Sequence, residues 1–175
     1  VALIAIPAAL MLTEPPVHSI KRKFGLSEIR SILYKSLHGD VKLKWNTFFS
    51  AITGAATLTM AWFAQPYFGQ IHLPVSMYGV LWAVLNLSVG VAAIVAWRFE
   101  KRFGAPVTVI LFTSALFGAY LTLPLMPGYT GLGILLVLYL ARGLATPTLR
   151  NYINIITTSD VRATVLSVRN FLIRL

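Results

Sequence analysis

Two long stretches of this chain, Trp45 to Trp97 and Phe103 to Ala141, contain no Asp, Glu, Lys or Arg. A transmembrane helix needs about 20 mostly apolar residues to cross the hydrocarbon, so each stretch accommodates two crossings and a tight turn. Two crossings return a chain to the side it left. All 15 Lys and Arg are therefore expected on, or within snorkelling reach of, one membrane face. The positive-inside rule makes that face cytoplasmic. The sequence thus reads as all-α, a polytopic transmembrane helix bundle that crosses the cell membrane several times, with the lipid bilayer as its surroundings.

Composition agrees. With 57% hydrophobic and 11% charged residues the chain is too apolar for an ordinary soluble domain. A net charge of +10 would raise nucleic acid as a partner. Here the basic residues flank apolar spans instead of forming one stripe, so topology and anionic headgroups account for them and no nucleic acid is expected. The absence of Cys excludes a disulfide framework, a thiolate nucleophile and a thiolate-bound metal.

Residues 1–13 read as the end of a transmembrane helix, stopped by Glu14, Pro15 and Pro16. This stretch lacks an initiator Met and is too short to span, and Leu175 falls within a helical pattern, so the sequence reads as part of a longer polypeptide. Residues 14–45 form a basic cytoplasmic loop. In it Leu26, Ile29, Ile32, Leu33 and Leu37 recur at helical spacing behind Ser27 as N-cap and ahead of Gly39 as stop, which predicts an interfacial amphipathic helix. Residues 46–175 form the bundle, with spans at about 46–66, 76–97, 105–123 and 129–150 and a partial one at 163–175. With residues 1–13 that makes four full spans and two partial ones. Ser50/Gly54 and the Gly90, Ala92, Ala93, Ala96 series supply small residues for close helix packing. Arg142, Gly143 and Pro147 interrupt the fourth span chemically.

Little here could carry covalent chemistry. His18, His38 and His72 are scattered over loops, so no metal and no cofactor is expected. The acids Glu14, Glu28, Asp40, Glu100 and Asp160 all fall outside the spans, and no enzyme constellation is present. Arg142 is the most informative residue. An arginine inside a span costs at least about 2.5 kcal/mol at the bilayer centre and marks a pathway or a pair. It either snorkels or bonds a neighbouring helix, or it contacts a substrate or gate. Asn86, nearer mid-span, must find a partner for its amide, either a neighbouring helix or a ligand. Thr57 can bond its own helix backbone. Arg169 and Arg174 do not share a helix face, so at least one is expected to point to protein or water, the simpler reading being a solvated cytoplasmic rim.

In order, these features resemble the C-terminal half of a major facilitator superfamily transporter. The basic loop resembles the segment joining that family's two six-helix halves. The turn Arg98-Phe99-Glu100-Lys101-Arg102-Phe103-Gly104 is similar to the second copy of its short basic loop, with Lys101 where the first-half form has an acid and Glu100 one position earlier. Thr157 to Ser167, carrying Asp160 and Arg162, resembles the connection between its tenth and eleventh helices. The resemblance implies a secondary active transporter that moves a small-molecule solute by alternating access together with an N-terminal transmembrane half. It implies substrate-pathway candidates Thr57, Trp82, Asn86, Tyr139 and Arg142. Candidates for a cytoplasmic gate are Arg98, Glu100, Arg102, Asp160 and Arg162. A non-transporting membrane scaffold is the alternative; in that case Arg142 and Asn86 would face a partner helix.

Overall fold

The computed structural model describes Tyr34 and residues 41–126, 128–157 and 159–174. The expected span end at 1–13 lies outside them. So does the amphipathic helix of the basic loop, except for Tyr34, which is helical and exposed. Among the described residues the chain forms helices α1 (Val41–Gln70), α2 (Val75–Phe103), α3 (Ala105–Thr122), α4 (Thr130–Ile156) and α5 (Ser159–Arg174), with a 3-10 turn at Leu123–Leu125. The first four, counting the 3-10 turn with α3, are long and apolar enough to cross a membrane. This is a multi-pass, all-helical bundle.

The helices outrun the apolar spans. Pro66 was expected to close the first, yet α1 continues one turn past it to Gln70. A late proline removes one N–H but does not stop the turn that follows. What stops α1 is His72, held at φ 56 in the left-handed region. Leu73 N donates to the Phe68 carbonyl at 3.1 Å and His72 N to that of Gly69 at 3.1 Å, which satisfies the last carbonyls of the helix. The basic turn at 98–103 is likewise not a loop but the last turn of α2. Lys101 and Arg102 complement the negative end of the helix dipole, and Lys101 Nζ lies 5.1 Å from the centroid of the Trp97 ring. Gly104 alone then turns the corner into α3, at φ 80, where a side chain would be strained.

α4 is the hub. It packs against α1, α2 and α3, with a smaller contact to α5. Arg142, Gly143 and Pro147 interrupt its apolar run but not its backbone, and the helix runs unbroken through Pro147. Around it gather Met60, Phe68, Leu85, Phe112, Leu116, Leu135, Leu138 and Tyr139, all buried. At Gly143 the crossing is very tight, since a Cβ there would meet the Val89 carbonyl oxygen at 2.5 Å and Ala92 Cβ at 2.6 Å. Small residues let backbones approach this closely. A further tie joins α1 to α3, where the Tyr120 hydroxyl donates to the Ala56 carbonyl.

The two ends of the bundle differ. At one, Tyr67 donates to the Gly128 carbonyl at 2.7 Å, and the Tyr67 ring fills the space that a side chain at Gly131 would need. At the other, Leu43, Ile153 and Val165 close a second small core. That second end holds Lys42, Lys44, Arg98, Lys101, Arg102 and Arg162. From it α1 and α5 run in parallel, Ser50 meeting Arg169 and Gly54 meeting Ile173. On α2 the outward stripe Val80, Val84, Leu87, Val91 and Ile94 is 49–75% exposed. An apolar stripe of that length suits lipid, not water.

Candidate functional site

The crossing of α2 and α4 brings together three of the five residues expected along a pathway. Trp82 and Tyr139 meet edge to face, with ring centroids 6.5 Å apart. Tyr139 is 2% exposed and its hydroxyl has no hydrogen-bond partner. Arg142, one helical turn on, is half-buried and acts electrostatically on that hydroxyl. Glu100 is the one acidic side chain among the described residues, and it lies beside Tyr152 at the charged end. No described carboxylate therefore neutralises Arg142.

Asn86 lies one turn from Trp82 on α2 but does not bond across helices. It is exposed, and its Nδ2 donates to the Trp82 carbonyl of its own helix at 2.8 Å. A bond to its own turn satisfies one of the amide's two donors without a neighbouring helix. Thr57 is buried on α1 and donates to the Gly54 carbonyl at 2.9 Å, as its hydroxyl was expected to do.

The gate candidates occupy the charged end, with different surroundings. Arg98 and Arg102 are exposed, and Arg102 lies over the Phe103 ring at 5.6 Å. Glu100 of α2 is half-buried and lies near Tyr152 of α4, whose buried hydroxyl makes no hydrogen bond. The side chain of Asp160 lies outside the described residues. Arg162 reaches back to the end of α4, its Nη2 donating to the carbonyls of Asn154 at 3.1 Å and Thr157 at 3.2 Å. This is a C-terminal cap delivered from the next helix, with a cation at the negative end of the α4 dipole. Arg162→Met should destabilise the α4–α5 corner by about 1.5–3 kcal/mol, the range for lost hydrogen bonds to a charged group. Thermal unfolding in detergent would check it, and Arg162→Lys should recover part of the loss by keeping the charge.

One site had no clear signal in the sequence. Arg169 is not on a solvated rim. It is 7% exposed, and its Nε donates to the hydroxyl of Ser50 on α1. Sequence spacing gave only that Arg169 and Arg174 diverge, and Ser50 suggested close packing instead of a polar contact.

Among the described residues no three His, Asp or Glu side chains come together as a metal site would require. Comparison with protein-family models, curated proteins and solved structures finds no match to this chain.

Proposed function

We propose that this chain supplies most of one half of a secondary active transporter, of the major facilitator type its loops resemble, and that Arg142 contacts the solute. The observation that carries the proposal is the Arg142–Tyr139–Trp82 cluster. It holds a half-buried cation without a described carboxylate and, within one turn of it on α4, a buried hydroxyl without a partner that packs against the Trp82 ring of α2. An ionisable side chain inside a membrane span is by default a candidate pathway residue. Alternating access would move the cluster between the two sides as this half rocks against an N-terminal one. On this reading the charged end is cytoplasmic and the Tyr67–Gly128 end faces outward.

The test is transport by the native protein that contains this chain, reconstituted in liposomes. Labelled sugars, amino acids and organic anions would be offered under an imposed pH or sodium gradient. The proposal expects at least one class to accumulate, and to exchange in counterflow when trapped inside. If no class moves and the protein instead copurifies with a stoichiometric membrane partner, the scaffold reading replaces it.

A further inference from the structure

Arg169 poses a problem that the α2–α4 crossing does not address. Its guanidinium is buried, and three features restrict what could neutralise it. Nε is committed to Ser50 Oγ, which is itself fully buried. Nη1 has only a 3.4 Å contact, to Asn170 Oδ1 on the same helix. No described carboxylate pairs with it, and among the described residues the charge that acts on it is another cation, Arg150 of α4. A buried ion costs a great deal unless paired, and a neighbour of like sign raises that cost.

A further donor faces the same region. Asn46 stands one turn before Ser50 on α1, so the two share a helix face. Its Nδ2 is buried and makes no hydrogen bond. Arg169 thus lies against the face of α1 that carries Asn46 and Ser50, with the exposed Arg150 of α4 within electrostatic reach, and what Arg169, Asn46 and Arg150 share is spare donors. A cation has no place in such a set. A planar or tetrahedral oxyanion does, because arginine forks and amide donors match its lone pairs.

We propose that Arg169, Arg150 and Asn46 hold an oxyanion, a phosphate or carboxylate group, between α1, α4 and α5 in the charged half of the bundle. Trp45 and Trp97, both exposed at that end, mark the level of the interface. Ser50 lies five residues beyond Trp45, about 7 Å deeper. The group could therefore belong to an anionic phospholipid drawn inward or to a free anion. The site is separate from Arg142, which precedes Arg150 by eight residues or about 12 Å along α4, and it does not rest on the transport reading.

The test uses the native full-length protein. In neutral detergent, inorganic phosphate, sulfate and acetate would be titrated against thermal unfolding, with chloride at equal ionic strength as reference. In parallel, nanodiscs of phosphatidylcholine with and without phosphatidylglycerol would be followed by native mass spectrometry after detergent release. A saturable shift with a free oxyanion assigns the site to a soluble anion. A retained phosphatidylglycerol adduct without that shift assigns it to a lipid. In either arm Arg150→Gln, whose side chain is exposed and whose loss should leave the fold intact, is expected to weaken binding at least tenfold. Arg169→Gln should do the same if it folds, and Arg174→Gln should leave binding unchanged. Absence of binding in both arms overturns the proposal, as does binding that Arg150→Gln leaves untouched.

Discussion

Gly143→Ala is expected to destabilise the bundle by about 1–3 kcal/mol, the range for overpacking a filled interior, and a branched residue there should prevent folding. The added Cβ would sit 2.5 Å from the Val89 carbonyl oxygen and 3.0 Å from Val89 Cα. Those are backbone atoms, so no rotamer change relieves the clash. α2 would have to move away from α4, taking Trp82 from its contact with Tyr139. Gly133 provides the control in the same helix: nothing lies within 4 Å of its would-be Cβ. Gly133→Ala should be neutral or stabilising by up to about 1 kcal/mol, since alanine is the better helix former. Unfolding midpoints of the two variants in the same detergent decide the matter. Equal effects would mean that the close crossing does not exist.

Arg142→Gln is expected to separate function from stability. If Arg142 binds solute, losing its charge should cost about 2 kcal/mol or more of interaction, roughly thirtyfold or more in transport at low substrate. Stability should hold or rise, because no described carboxylate loses a partner and a cation leaves the membrane interior. Arg142→Lys should fall between the two, keeping the charge but losing the planar fork. Tyr139→Phe removes only the unpartnered hydroxyl, and should weaken transport while leaving the Trp82 ring contact in place. A folded Arg142→Gln protein that transports normally would return Arg142 to a structural or snorkelling role.

Much of the architecture was legible in the sequence because it follows from charge placement. Two uncharged runs, each broken by turn residues, fix four crossings, and the four apolar helices lie where those runs are. Helix ends were less legible. Pro66 and the 98–103 turn both looked like breaks, yet hydrogen bonding at His72 and the corner at Gly104 decide where the helices stop. Within α4 the role of Gly143 was not legible either: it is there for the close approach of α2, which the sequence of α4 alone does not show.

For the candidate site, the resemblance named Trp82, Tyr139 and Arg142 among five pathway candidates; in the fold Trp82 meets Tyr139, and Arg142 follows Tyr139 one turn on along α4. Asn86 behaves differently because its own helix offers an acceptor at 2.8 Å. The Ser50–Arg169 contact was not legible at all, since it joins residues 119 apart on helices that run in parallel. Helical periodicity says which residues share a face, but not which faces meet.

In a membrane bundle of this kind the charged end lies wholly on one side, and with no cysteine among these 175 residues introduced cysteines can report it once any cysteine elsewhere in the native protein is replaced. Single cysteines at Lys101, Lys44, Gln70 and Met126, all exposed at helix ends, would be probed with a membrane-impermeant maleimide in intact cells and in inverted vesicles. Gln70→Cys and Met126→Cys are expected to label in intact cells, and Lys44→Cys and Lys101→Cys only in inverted vesicles. Labelling of Lys101→Cys and Gln70→Cys from the same side would contradict this topology, because α2 would then not cross the membrane.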